Sequence, residues 1–162
     1  MTKSEEKAKF DKELRLQAKA YHTKLTREIV KIWGSNALND LDITKIGKIL
    51  LGSKYLGTFP QDKAKFKPGY FIINVDKSGF PGSHWCSLFV DSKKNMYMYD
   101  SFARPSKKLL PYLYDMAKKK DYKLINVNGK SDQHKNSFIC GPLSIAWLKA
   151  VEKFSIDSAR HI

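Results

Sequence analysis

The chain has 162 residues, the usual length of one domain, and 42% of them are hydrophobic, which excludes a disordered chain. Its 30 lysines and arginines against 16 acidic residues give a formal net charge of +14, which favours polyanion binding, with a merely solubilising surface as the alternative. No apolar run suits a membrane span, and the charged first residues do not form a secretory signal. We therefore expect no membrane association.

Apolar spacing predicts two helices in the first third of the chain. One helical face within residues 1–33 carries Tyr21, Leu25, Ile29, Ile32 and Trp33. Gly34 is placed to end this helix, and the polar first ten residues are expected to fray. A second helix is predicted from Asp42, as its N-cap, to Gly52.

From Tyr55 onward the pattern changes to strands and turns. In chain order we predict a buried strand at 70–75, a turn-rich loop at 76–82, a hairpin of strands 84–90 and 95–100, a helix at 106–118, a strand at 122–127, a polar loop at 131–137 and an apolar helix at 140–151. This order predicts an α+β fold with a mostly antiparallel central sheet flanked by helices. We expect one domain, 1–162, with a helical part (1–53) before a core (54–154).

Cys86 and Cys140 are the only two cysteines, and their spacing indicates neither a disulfide framework nor a zinc site. Cys140 opens the last apolar helix, and Pro142 lies in its first turn, where proline is favoured. A thiol at a helix N-terminus faces the positive end of the helix dipole, which favours the thiolate. Cys140 is therefore a candidate nucleophile, although free cysteines are also among the most commonly buried residues.

His84 lies at the start of the predicted hairpin. With a three-residue loop centred on Ser92, His84 pairs directly with Asp100 across the hairpin. The carboxylate would then orient the imidazole, and the other ring nitrogen could take a proton from a thiol. A one-residue change in the turn would separate the two side chains, and an ordinary cross-strand pair is the alternative. Cys86 shares the strand face of His84, and we interpret it as a packing residue.

Gln133 lies seven residues before Cys140, in a polar loop that leads back to the candidate nucleophile. Its side-chain amide is placed to donate a hydrogen bond to an oxyanion, together with the main-chain N–H of Cys140. A glutamine in a polar loop is otherwise usually solvated.

Four segments resemble the adenovirus proteases (adenains). Tyr55-Leu-Gly-Thr-Phe59 is similar to the family's YFLGT, Gly82-Ser-His-Trp85 to GVHW, Tyr97-Met-Tyr-Asp-Ser-Phe102 to YLFEPF, and residues 133–141 match QGPNSAACG in spacing. The order His, Asp, Gln, Cys is also that of the SUMO and ubiquitin-like-protein proteases. Asp100 stands where adenains have glutamate, as in the SUMO-protease branch, and no cysteine matches the one that links their peptide cofactor.

The resemblance implies a cysteine endopeptidase, similar to the maturation proteases of virophages and Maverick/Polinton elements. In it, Cys140 is the nucleophile, His84 its base, Asp100 the orienting carboxylate and Gln133 the oxyanion donor. The implied substrates are capsid precursor proteins cleaved during virion maturation. The implied location is the virion, and the host cytoplasm or nucleus where particles assemble. We expect a monomer that requires no cofactor.

Because adenains bind DNA, the resemblance also implies non-specific DNA binding, with DNA as an activator. This would be consistent with the net charge of +14. The candidate DNA-contacting residues are Lys63, Lys65, Lys67, Lys107, Lys108, Lys118, Lys119 and Lys120.

Other functions are also compatible with these residues. An isopeptidase that removes ubiquitin-like or SUMO-like modifiers would use the same residues, cleave after Gly-Gly and respond little to DNA. A non-enzymatic, basic DNA-binding virion protein would be indifferent to Cys140→Ala. Bacterial effector acetyltransferases share the triad but need acyl-CoA, and the sequence shows no sign of a CoA site.

Overall fold

The computed structural model describes residues 1–76, 79, 84–127, 130–133 and 137–162. Much of the predicted loop 76–82 and the middle of the predicted loop 131–137 lie outside the described residues, as do parts of two of the adenain-like segments. The helices are α1 (Lys3–Trp33), α2 (Asp40–Leu51), α3 (Ser106–Leu109), α4 (Pro111–Lys119), α5 (Cys140–Phe154) and α6 (Ile156–Ala159). The strands are β1 (Tyr55–Pro60), β2 (Gly69–Asn74), β3 (Trp85–Val90), β4 (Asn95–Tyr99) and β5 (Lys123–Asn126).

The five strands form one mixed sheet in the order β1-β2-β3-β4-β5. The three central strands run antiparallel, and each edge strand joins its neighbour in parallel. Side chains alternate between two cores: α1, α2 and α5 cover one face of the sheet, and α3 and α4 cover the other. The predicted α+β class is thereby confirmed. None of the described helices is both long and apolar enough to cross a membrane.

The helix predictions are largely confirmed, with differences at their ends. Gly34 ends α1 as predicted, but Ile32 is 77% exposed and does not belong to the buried face. The N-cap of α2 is Asn39, whose side chain accepts the N–H of Asp42 at 2.9 Å, so the prediction of Asp42 as N-cap is wrong. The single helix predicted at 106–118 is two helices, because Pro111 lacks the N–H that a continuous helix would need.

The β3–β4 hairpin has a different register from the predicted one. Phe89 pairs with Tyr97, so the turn is centred one residue later than Ser92 and the pairing shifts by two residues. The turn is held by the Asp91 side chain, which accepts the main-chain N–H groups of Lys93 and Asn95 at 2.9 Å each. A shift of two residues preserves the faces of the strand.

Helix α5, which begins at Cys140, lies in the core on one face of the sheet. Two buried serines join it to β3: Ser87 Oγ donates to the Ser144 carbonyl at 2.9 Å, and Ser144 Oγ donates to the Trp85 carbonyl at 3.2 Å. The Trp147 ring stacks on Tyr99 of β4 with ring centroids 5.5 Å apart. These contacts fix the start of α5 against the ends of β3 and β4.

Candidate active site

His84 and Asp100 meet at one end of the central hairpin. His84 directly precedes β3 and Asp100 directly follows β4, and His84 Nε2 lies 2.5 Å from Asp100 Oδ1. The prediction that the two residues lie directly opposite each other is wrong, because the observed register places Asp100 level with Cys86. The imidazole reaches the carboxylate diagonally, which an even shift permits because both side chains stay on one face.

Arg104 also binds the carboxylate of Asp100. Its main-chain N–H and its Nε each donate to Oδ2 at 2.9 Å, and Nη2 donates to Oδ1 at 3.3 Å. A tight turn makes this possible: Ala103 donates its N–H to the Asp100 carbonyl at 2.8 Å and has a left-handed φ of 56°. The guanidinium also lies 5.0 Å from the centre of the Phe102 ring, which in turn contacts His84.

Arg104 was not predicted from the sequence. The only available signal was an arginine four residues after the candidate carboxylate, and that spacing carries no meaning outside a helix.

These contacts shift the pKa values of both partners. Burial alone raises the pKa of Asp100, but the hydrogen bonds from His84 and Arg104 outweigh it and hold that pKa far below its ordinary value. Burial likewise lowers the pKa of His84, but the hydrogen bonds to Asp100 and Cys140, with the charges of both groups, raise it overall. The imidazolium form is therefore stabilised in the folded protein.

Cys140 is the first residue of α5 and is buried beside His84. Burial alone raises the pKa of its thiol. The hydrogen bond and charge of His84, followed by hydrogen bonds with the main chain at Trp85 and Gly141, overcome that effect and lower the pKa. Since Nε2 of His84 is bonded to Asp100, Nδ1 is the ring nitrogen left for the thiol. The arrangement favours a thiolate–imidazolium pair.

Cys86, the second thiol, has the opposite environment. It is fully buried, its Sγ lies 3.6 Å from the Ile73 carbonyl, and burial raises the pKa of its thiol well above the ordinary value. Both cysteines are free. The surroundings of Cys86 agree with the packing role predicted for it.

Gln133 is buried and held at both ends of its side-chain amide. Its Nε2 donates to the Ser137 carbonyl at 2.7 Å, and its Oε1 accepts a hydrogen bond from the hydroxyl of Ser101. Ser101 directly follows Asp100, and Ser137 lies three residues before Cys140. Gln133 is thereby tied to the two chain segments that carry the candidate carboxylate and the candidate nucleophile.

All eight predicted DNA-contacting lysines have exposed side chains. They lie on α3, on and just after α4, and on the segment 63–67, which are the parts of the chain that cover the sheet face opposite α5. Several ammonium groups lie over aromatic rings: Lys118 is 5.2 Å from the ring centre of Tyr114, and Lys120 is 5.4 Å from that of Phe66. The lysines thus share one face, which we call the lysine face.

The described residues contain no group of three or more histidine, cysteine or acidic side chains that could hold a metal ion. No protein-family model matches the sequence, and a search of curated proteins finds no match either.

Proposed function

We propose that this protein is an adenain-like cysteine endopeptidase that cleaves capsid precursor proteins during virion maturation. The observation that carries the proposal is the grouping of Cys140, His84 and Asp100 from three separate segments of the chain: His84 is hydrogen-bonded to Asp100, and His84 lowers the pKa of the Cys140 thiol. An isolated His–Asp pair or a buried cysteine would be ordinary, but together they have the arrangement of an activated nucleophile, its base and an orienting third group. We further propose that the enzyme is a monomer, requires no cofactor and acts in the virion and at its assembly site in the host cytoplasm or nucleus.

In the proposed mechanism, the Cys140 thiolate attacks the scissile carbonyl and forms a tetrahedral oxyanion. The main-chain N–H of Cys140 and Nε2 of Gln133 donate hydrogen bonds to that oxyanion. Protonated His84 gives its proton to the leaving amine, so that a thioester remains. Neutral His84 then takes a proton from water, which attacks the thioester and releases the acid product. Asp100 keeps the imidazole oriented throughout.

The reactivity of Cys140 provides the first test. We expect iodoacetamide to alkylate Cys140 faster than free cysteine at pH 7, because the pKa of the thiol is lowered. Cys140→Ala should abolish cleavage of capsid precursors co-expressed with the protein, and Cys86→Ala is the matched control that should retain it. Full cleavage by Cys140→Ala, or a Cys140 no more reactive than free cysteine, would refute the enzyme proposal.

The isopeptidase alternative is separated by its substrate. A ubiquitin-like probe ending in Gly-Gly should be a poor substrate compared with capsid precursors if the maturation role is right. Preferential cleavage of that probe would be consistent with the proposed catalytic residues, but it would contradict the proposed role in capsid maturation and favour an isopeptidase.

We also propose that DNA binds the lysine face non-specifically and activates the enzyme. What supports this is the concentration of exposed lysines opposite α5, away from the nucleophile, in a chain with a net charge of +14. Replacing lysines 118–120 by glutamine should lower the affinity for a DNA duplex. The slope of the logarithm of the binding constant against the logarithm of the salt concentration should become shallower by up to about 0.9 for each phosphate interaction removed. The matched control carries the same change at Lys31, Lys45 and Lys48. Equal losses in both variants would indicate a general charge effect.

A further inference from the structure

We propose that Ser101 is a positioning residue that orients the Gln133 amide toward the oxyanion. This inference rests on the proposed function and assigns a role to a serine that is not itself in contact with the reacting atoms. Ser101 is fully buried and directly follows Asp100. It makes both a side-chain and a main-chain connection to the segment that carries Gln133.

The two contacts of the Gln133 side chain define the orientation of its amide. The Ser137 carbonyl lies 2.7 Å from one end of it, and since a carbonyl only accepts, that end must be the NH₂ group. The other end is then the oxygen Oε1, which requires a donor, and the Ser101 hydroxyl provides it. A flipped amide would place its oxygen against the Ser137 carbonyl. The Ser137 carbonyl therefore selects this orientation, and the Ser101 hydroxyl, which can donate or accept, completes it by donating to Oε1.

This orientation leaves one N–H of Gln133 for catalysis. Nε2 carries two hydrogens; Ser137 accepts one, and the second has no partner among the residues that the structure describes. An oxyanion donor must be held in place before the reaction, because its contribution depends on not having to reorganise. The Ser101 hydroxyl restricts rotation of the amide about its terminal torsion, which is otherwise broad.

The main-chain connection fixes where the segment lies. The carbonyl oxygen of Ser101 accepts the N–H of Asp132 at 2.7 Å, the N–H of Gln133 at 3.2 Å and the hydroxyl of Ser131 at 3.2 Å. Tyr99, two residues before Ser101, donates a hydrogen bond from its hydroxyl to the carboxylate of Asp132 at 2.8 Å. The three consecutive residues 99–101 thus bind both His84 and the segment 131–133, and so fix the position of one relative to the other.

Two thiol reagents separate this role from a general structural one. The peptide aldehyde acetyl-Gly-Gly-glycinal forms an S–C bond with Cys140 and turns the aldehyde oxygen into an alkoxide that accepts the oxyanion hydrogen bonds before it is protonated. Iodoacetamide forms an S–C bond with loss of iodide and creates no oxyanion, so it reports only on the reactivity of the thiolate and His84. Alkylation is followed by mass spectrometry of the peptide that contains Cys140. The aldehyde adds reversibly, so its affinity is measured from the concentration that protects Cys140 against alkylation.

We expect Ser101→Ala to weaken aldehyde binding roughly 2- to 13-fold, the range for the net contribution of one neutral hydrogen bond. The iodoacetamide rate should stay within about twofold. The matched control is Thr26→Val, which removes a buried hydroxyl that donates to the His22 carbonyl within α1 and should leave aldehyde binding unchanged. If Ser101→Ala melts too low to assay, the nearly isosteric Ser101→Cys, a weak donor, is read in the same way.

A double-mutant cycle decides between positioning and mere packing. In a Gln133→Ala background, Ser101→Ala should weaken aldehyde binding no further, because the group that it orients is absent. Equal losses in both backgrounds, an unchanged aldehyde affinity, or a parallel fall in the iodoacetamide rate would overturn the role of Ser101. Failure of the proposed function has a different signature: wild-type Cys140 would then react with neither reagent faster than free cysteine.

Discussion

Asp100→Asn tests the electrostatic arrangement of the site without needing a substrate. The contacts to the Asp100 carboxylate described above all come from N–H donors, on His84 and Arg104. An asparagine offers one oxygen and one NH₂ group at nearly the same volume. Whichever way it turns, at least one of these donors faces another N–H group. The substitution should therefore destabilise the folded protein as well as impair catalysis.

The magnitude follows from burial. Asp100 has no exposed surface, and removing one partner of a buried ion pair typically costs about 3–5 kcal/mol. The side chain of Arg104 is 43% exposed, so its contribution is discounted to about 1 kcal/mol or less. Most of the loss falls on the bond to His84, and we expect the free energy of unfolding to drop by about 3 kcal/mol. For a domain of this size, that lowers the melting temperature by about 6–12 °C.

The assay is urea unfolding followed by circular dichroism, with Asp115→Asn on the exposed face of α4 as the matched control. The control should change stability by less than about 0.5 kcal/mol. Because folding lowers the pKa of Asp100, its stabilising contribution is complete above the pKa of the unfolded chain, about 3.9, and is lost as the pH falls below it. The difference between wild type and Asp100→Asn should narrow below about pH 4. A loss no larger than the control's, or one that is the same at every pH, would refute the reasoning.

Two further changes test the packing around the site. In Gly47→Ala a new Cβ would lie 2.6–2.8 Å from ring atoms of buried Tyr55. Overpacking should outweigh the gain in helix propensity and lower the free energy of unfolding by about 1–2 kcal/mol in the same urea assay. Unchanged stability would contradict the close contact. His22 is buried with its Nε2 hydrogen-bonded to the Leu143 carbonyl, and burial lowers the pKa of its imidazole. As the pH falls, His22 is therefore protonated in the unfolded chain at a higher pH than in the folded protein. Stability should therefore fall as the pH drops below about 6.5, and less steeply in His22→Gln, which keeps a donor; parallel slopes would exclude His22 as the source.

The sequence predicts most of the helices and strands but not the exact pairing between β3 and β4. The alternation of side chains along β3 and β4 matches the two cores that they enter, with Trp85, Tyr97 and Tyr99 in one and Cys86, Leu88 and Met98 in the other. The register depends instead on the Asp91 side chain, which binds two main-chain N–H groups and moves the turn by one residue. His84 and Asp100 still meet because the resulting shift is even. The prediction named the right pair for a partly wrong geometric reason.

Sequence patterns do not predict the residues that support the candidate triad. Arg104 reaches Asp100 only because Ala103 takes a left-handed conformation, which is uncommon for alanine. Ser101 meets Gln133 across 32 residues of sequence, and no local periodicity reports such a contact. Motifs thus point to candidate reacting groups, whereas the residues that support those groups depend on turns and long-range contacts that only the folded chain displays.

The contrast between the two thiols has a practical consequence. Folded protein at neutral pH should take up a single alkyl tag, at Cys140, because Cys86 is enclosed in the second core with its thiol protonated. A molecule that has opened completely exposes both sulfurs and takes up two tags. The ratio of doubly to singly tagged chains in a mass spectrum, followed over time, therefore measures how often the native domain opens, in the absence of denaturant.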